Sequence, residues 1–271
     1  MFGISRQAFY QKQQREARRL NELQQVKSLV VNKRRVMPRL GTRKLHYLIA
    51  DELRELGIKI GRDGLFDFLR SEQLLVKRRK SYTKTTMSKH WLHKHPNLLK
   101  TITPVRSEEV WVSDITYVPT RQGNTYLSLI TDAYSRKIVG YHLSEDMKTE
   151  SVAKALKMAS KNRKTRLPLI HHSDRGLQYC AAEYQQILKA DEITPSMTDG
   201  YDCYQNAMAE RINGILKDEF LLTTCTDIEQ LDKVIKQSIF IYNNNRPHLN
   251  LNYKTPTFIH EKSLAELLNQ G

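Results

Sequence analysis

Three acidic residues stand where a lone charge is hard to account for. Asp114 interrupts the apolar strand pattern EVWVSDITYV, residues 109–118, and an unpaired carboxylate is expensive to bury. Asp174 closes the apolar run LPLIHHSD, residues 167–174, ahead of Arg175-Gly176. That sets it at the C-terminal end of a strand, where α/β sheets gather their ligands. Glu210 follows from helical geometry. Between Gln205 and Phe220, residues Asn206, Glu210, Asn213 and Lys217 share one stripe, since offsets of four, seven and eleven return to similar azimuth. Met208, Ala209, Ile212, Ile215 and Leu216 face the other way, and only Glu219 spoils the division. Taken singly, each aspartate also reads as a turn or capping residue, and Glu210 as a surface glutamate.

Taken together, two aspartates on sheet strands and a glutamate on the next helix can converge on one pocket. Three like charges at such a point cannot all stay ionised without cations. Hard oxygen donors select Mg²⁺ or Mn²⁺, and two such ions roughly 3.5–4 Å apart clamp the attacking and leaving oxygens of an in-line displacement at phosphorus. Zinc is disfavoured. Cys180, Cys203 and Cys225 form no C-x-x-C pair, and His90, His93 and His95 have no second ligand pair nearby. The odd cysteine count fits reduced thiols packed in a cytoplasmic protein.

Charge divides sharply along the chain. Of the formal +15, residues 1–100 carry 24 Lys or Arg against 8 Asp or Glu, giving +16, whereas residues 101–271 carry 20 against 21, giving −1. A basic arm of this kind releases counterions when it neutralises phosphates, so nucleic acid is the expected partner. An anionic membrane surface or a merely solvated basic face are the alternatives. No run of 18 apolar residues exists and the N-terminus lacks a signal peptide's apolar stretch, so neither spanning nor export is expected.

Elements that position the carboxylates can be read on either side of a boundary. Gln11 to Val30 predicts a helix, with Leu20, Leu23, Val26 and Val30 at helical spacing. GISRQAFY, residues 3–10, reads as an ordinary helix start or as the opening of a recognition helix capped by Ser5. Thr42 to Leu56 aligns Leu45, Leu48, Ile49, Leu53 and Leu56 ahead of a Gly57 stop. Gly61 to Leu75 directs Leu65, Phe66, Phe68 and Leu69 to a core. These two helices, joined by LGIKIGRDG, resemble a helix-turn-helix or any small helical hairpin. The adjoining KRRKSYTK, with Lys77, Arg78, Arg79 and Lys80 as candidate DNA contacts, favours DNA reading. The expected divisions are a basic helical arm at 1–38, a helix-turn-helix-like domain at 39–76, a basic linker at 77–104, a catalytic core at 105–260 and a tail at 261–271.

Beyond Pro104 the pattern changes. EVWVSDITYV, TYLSLITD (125–132) and RKIVGYHLS (136–144) form an antiparallel meander. Then come a helix at Glu150–Ser160, the strand at 167–174, a helix at Ala182–Ala190, the short strand EITPSM (192–197), and helices at Gln205–Phe220 and Ile228–Asn244. This order predicts an α/β, ribonuclease-H-like mixed sheet of five strands with flanking helices, preceded by a small all-α domain.

The motifs WVSDITYV, YLSLITDAYSRKIVGYHLS, IHHSDRGLQY, SMTDGYDCYQNAMAERINGILKDE and YNNNRPHLNLNYKTP follow one another in order. They resemble those of the OrfB-type transposases of the bacterial insertion-sequence-three family, from about residue 40 to 260, including the gap of 35 residues between Asp174 and Glu210. The resemblance implies a DDE catalytic core related to retroviral integrases, with its acidic positions at Asp114, Asp174 and Glu210. It implies two Mg²⁺ (or Mn²⁺) ions and DNA ends that are cut by water and then joined to a target by the freed 3′-hydroxyl. It also implies a Lys217 contact to the terminal DNA backbone; Arg211 is a second candidate phosphate contact or a solvated arginine. A homo-oligomer on paired ends is implied, as is an upstream helix-turn-helix protein of OrfA type, separate or fused. The setting would be the bacterial cytoplasm, with the protein on the nucleoid. The chain departs from the commonest family pattern at Gln205, where aspartate is usual, and at Arg211-Ile212-Asn213, where aromatic residues are frequent. Two other readings remain: a DNA-binding regulator without chemistry, and a ribonuclease-H-like nuclease that hydrolyses without joining.

Overall fold

The structure is a computed structural model that describes residues 5–77, 92–199 and 206–269. It divides into two units, Met1–Arg78 and Arg79–Gly271.

In the first unit, α1 (Arg6–Val36) starts where the Ser5 side chain accepts from the Ala8 N–H at 3.2 Å. It is longer than the apolar spacing suggested, and only Val26 and Val30 are buried on it. Leu20 is 64% exposed. The expected helix from Thr42 to Leu56 is interrupted for one residue at Ile49, giving α2 (Thr42–Leu48) and α3 (Ala50–Glu55). Gly57, at φ +66°, then ends it: its N–H donates to Arg54 O and the Ile58 N–H to Leu53 O. This is a Schellman closure whose left-handed residue favours glycine. In α4 (Arg62–Ser71), Leu65 and Leu69 are buried but Phe66 lies on the exposed side, as does Leu56 before the turn. Periodicity identifies which residues share a stripe, and packing decides which stripe is covered. Lys33–Glu52 and Lys27–Glu72, both at 2.6 Å, tie α1 to α3 and to the residue after α4.

The second unit is built on a five-stranded sheet in the order β3-β2-β1-β4-β5. Its strands are β1 (Val110–Pro119), β2 (Asn124–Asp132), β3 (Ile138–Ser144), β4 (Leu169–Ser173) and β5 (Ile193–Met197). β1–β2 and β2–β3 pair antiparallel, while β1–β4 and β4–β5 pair parallel. α5 (Thr149–Asn162), α6 (Leu177–Cys180) and α7 (Ala182–Ala190) cover one face through Val152, Leu156, Tyr179, Tyr184 and Leu188, packed on Trp111, Ile115 and Ile130. α8 (Ala207–Ile215) and α9 (Ile228–Asn244) cover the other, burying Ile212, Leu231, Ile235 and Tyr242 against Val118, Leu127 and Leu129. Alternation along β1 therefore assigns Trp111 and Ile115 to one core, and Val112, with Asp114 two residues on, to the face of α8.

Two segments differ from expectation. Residues 92–104, expected as linker, pack on the core: Pro96 O accepts from the Met197 N–H and Ser196 Oγ from the Leu98 N–H at 3.0 Å, both on β5, while Leu99 and Ile102 join the apolar cluster of Val110, Val112, Ala133 and Ala209. The expected core boundary at 260 falls inside α10 (Pro256–Leu268), which Thr255 caps with Pro256 in its first turn. Buried polar groups fasten this helix. Ser263 Oγ accepts from the Ser107 N–H at 2.9 Å, and Ser135 Oγ lies 3.0 Å from His260 Nδ1 while donating to Asp132 Oδ1 at 2.7 Å.

Candidate active site

Asp114 sits in the middle of β1, opposite Leu129, and is half-buried. Asn213, on α8, reaches the sheet and donates from Nδ2 to Asp114 Oδ2 at 2.7 Å. Asn206, a residue before the same helix, donates to Ser113 O at 3.1 Å. Both asparagines are buried, so the stripe shared by Asn206, Glu210 and Asn213 is clamped to β1 at its two asparagines. Asp174 follows the last residue of β4, and its Oδ1 accepts the Gly176 N–H at 3.0 Å. Space matters here as well: a Cβ on Gly176 would lie 3.0 Å from Asp174 Oδ1 and 3.2 Å from Gln178 Oε1.

The two aspartates line one small cleft with Ile115, Met147, Gly176, Gln178 and Tyr179. Beneath it Tyr179 is fully buried, and its hydroxyl accepts from Ser113 Oγ at 3.0 Å. Burial, reinforced by the neighbouring Asp174 and Glu210 carboxylates, pushes Asp114 up to about 7, with the Asn213 hydrogen bond acting in the opposite sense. Glu210 is also raised, by partial burial and then by Asp174. Its side chain remains exposed on α8 and does not line the cleft.

Lys217 lies just beyond α8, on a π-turn over Leu216–Phe220 that replaces the last stretch of the expected helix. Burial lowers its ammonium, and the Asp114 and Asp218 carboxylates pull it back. Arg211 is exposed, and the side chains that feel its charge are Arg136 and Tyr242. Lys77 is exposed at the end of the first unit, with its carbonyl accepting from Arg39. Arg78, Arg79 and Lys80 lie outside the described residues, as do His90, Cys203 and Gln205. His95 Nε2 is 2.8 Å from Gln185 Oε1. Cys180 and Cys225 are buried free thiols.

Asn213 was visible in the sequence only as a member of the Glu210 stripe. Its three-residue offset from a carboxylate was the available signal. Tyr179 carried none beyond its apolar surroundings.

Comparison with known proteins places this geometry. Residues 104–203 match an integrase core domain family, and residues 191–256 a second integrase core domain family. By shape the chain is similar to one from the simian T-cell lymphotropic virus intasome, with a TM-score of 0.52 at 18% identity over 81% of this chain and 74% of that one. Fold and match together define an integrase core of ribonuclease-H type, the class of DDE polynucleotidyl transferases.

The chain is 37% identical over 267 residues to an insertion element IS600 uncharacterized 31 kDa protein of Shigella sonnei, covering 97% of each. It is 34% identical over 172 residues to the transposase InsF for insertion sequence IS3A of Escherichia coli, which covers 63% of this chain and 60% of that protein. The chain belongs to the insertion-sequence-three family of DDE transposases.

Cores of this class use divalent metal. The donor set suits such an ion in chemistry: hard carboxylates, with Asp114 held at about 7 by burial and then by the neighbouring carboxylates, a strain that a cation relieves. It is not a closed cage, since among the described residues no three acidic, histidine or cysteine side chains are gathered closely enough to hold an ion.

Proposed function

We propose that Asp114, Asp174 and Glu210 are the catalytic carboxylates of this transposase and would together hold two Mg²⁺ or Mn²⁺ ions. The observation that carries the reading is the pairing of Asp114 and Asp174 in one cleft, with Glu210 near enough to raise Asp114. When bound, the ions supply Lewis acidity at the attacking and leaving oxygens of a phosphodiester. The chain's own residues do the rest. Asn213 fixes the Asp114 carboxylate from α8, and the Gly176 N–H fixes that of Asp174. Ile115 and Met147 supply the apolar part of the cleft's lining.

Chemistry proceeds in two displacements at phosphorus. In cleavage, a water oxygen forms the new P–O bond, the bond to the leaving 3′-oxygen breaks, and a free 3′-hydroxyl results. In joining, that 3′-hydroxyl attacks a target phosphodiester, whose own 3′-oxygen leaves. No bond to protein forms in either step.

Lys217 is assigned to the backbone of the terminal DNA and Arg211 to a weaker phosphate contact. Lys77, Arg78, Arg79 and Lys80 belong to the basic first third of the chain, which is assigned to duplex binding, with the helices between Thr42 and Ser71 as its reading unit. The partners are the element's terminal repeats and target DNA, with further copies of the chain on paired ends and an upstream helix-turn-helix protein of OrfA type, separate or fused. The setting is the bacterial cytoplasm, on the nucleoid. Among the described residues no helix is long and apolar enough to cross a membrane.

Purified protein with Mg²⁺ and a duplex bearing the element's end is expected to yield joined products. Hydrolysis without joining would replace the transposase mechanism with a nuclease. Joining that survives Asp174→Asn would refute the assignment of the carboxylates.

A further inference from the structure

The sequence leaves two features without a role: Glu219, a carboxylate on a helix face otherwise given to the core, and the Arg246-Pro247-His248 motif after α9. The structure joins them. Arg246 is 2% exposed, so it is not a surface phosphate contact. Its Nε donates to Glu219 Oε2 at 2.7 Å and its Nη2 to Glu219 Oε1 at 2.6 Å. Such a two-pronged pair needs the planar guanidinium fork and fixes direction as well as distance. The guanidinium is held in turn: Nη1 lies 3.1 Å from His248 Nε2, and the carbon between its nitrogens lies 5.9 Å from the centre of the Tyr242 ring. The Tyr242 hydroxyl donates to Arg136 O at 3.0 Å, and the Asn243 amide bonds both the N–H and the C=O of Ile138 in β3. The motif is therefore anchored to the sheet.

Glu219 belongs to the π-turn Leu216–Phe220, closed by the Leu221 N–H donating to Leu216 O at 3.0 Å. Lys217 is two residues earlier on that turn. In an α-helix residues two apart are separated by about 200° around the axis, and the wider π-turn still leaves them on roughly opposite sides. Drawing Glu219 to Arg246 sets the rotation of the turn and turns the half-buried Lys217 to the other side. Four residues before Lys217, on the same stripe, Asn213 donates to Asp114 Oδ2 at 2.7 Å, which sets that side toward the cleft; the Lys217 ammonium feels the same carboxylate.

We propose that Arg246 is a positioning residue: its fork on Glu219 fixes the π-turn that carries Lys217 and so directs Lys217 toward the DNA backbone beside the Asp114 cleft. The inference rests on the reading of Lys217 as a phosphate contact.

The full-length chain and its K217A, R246K and K217A/R246K variants test it. Binding is measured with a fluorescein-labelled duplex taken from the DNA that flanks the coding gene, over a salt series, together with thermal melting. K217A and R246K are each expected to weaken binding by about tenfold and to reduce the salt slope by about 0.9, one phosphate's worth. The double variant is expected to be no weaker than either single one, the signature of two residues acting through one contact. If K217A leaves binding unchanged, the Lys217 reading fails and Arg246 has nothing to position. If K217A weakens binding but R246K adds its full loss on the K217A background, the Lys217 contact stands and the positioning role is overturned. Should R246K fail to fold, E219Q weakens the same pair from the other side, with the same two outcomes deciding.

Discussion

Replacing Asp114 by asparagine is expected to make the metal-free protein more stable at neutral pH. An unfolded aspartate titrates near 3.8, whereas burial, then the Asp174 carboxylate, raise folded Asp114 to about 7. Between these two values the native state holds a proton that the unfolded state has released. The contribution to stability is thus complete below the unfolded value, falls as pH rises, and is lost above the folded value. At about 1.36 kcal/mol per pH unit the gap amounts to about 4 kcal/mol, and about half of that once water at the open side of the cleft screens the charge. The asparagine of the variant would carry no charge at any pH and would keep an oxygen to accept the Asn213 amide. For a unit of this size, about 2 kcal/mol moves the melting temperature by about 4–8 °C. Calorimetry in EDTA decides the matter. At about pH 4 the two proteins are expected to melt together, and at about pH 8 Asp114→Asn is expected to melt higher by that amount. Saturating Mg²⁺ is then expected to raise the wild type and leave the variant unmoved. A variant that melts at or below the wild type at the higher pH would refute the idea that Asp114 is electrostatically strained without metal.

Asn213→Ala removes the 2.7 Å amide donor to Asp114, and joining is expected to slow by about tenfold or more, the value of a hydrogen bond to a charged group; single-turnover strand transfer reads it. Gly176→Ala would set a Cβ 3.0 Å from Asp174 Oδ1, so joining is expected to fall by more than about tenfold while the melting temperature shifts by only a few degrees. Gly140→Ala would set a Cβ 2.3 Å from Ala155 O, where α5 crosses β3. Urea titration is expected to show a loss of about 3 kcal/mol or more.

The order of elements in the second unit was legible because each strand and helix obeys its own period. Ala182–Ala190 and Ile228–Asn244 fall where the spacing sets them. Asp114 and Asp174 stood out for a related reason: a charge inside an apolar strand pattern has few structural explanations. What periodicity could not supply was coverage. Leu20 and Phe66 belong to sound stripes whose other members, Val26, Val30, Leu65 and Leu69, are buried, yet both are themselves exposed. Asn213 and Arg246 were unreadable for a different reason. Each acts across a sequence gap, 99 residues to Asp114 and 27 to Glu219, and polar pairing at that range leaves no local pattern. The last helix was missed although Thr255-Pro256 is a sound helix start. Glu210 was located by its stripe, yet its exposed carboxylate outside the cleft was not foreseeable from azimuth alone.

Anomalous scattering from Mn²⁺ in crystals of the chain bound to its end DNA tests the central claim most directly. The account predicts ions between Asp114 and Asp174, with the Glu210 carboxylate swung in as a ligand at about 2.0–2.3 Å. Ions held elsewhere, or a Glu210 carboxylate still facing solvent beside an occupied cleft, would contradict it.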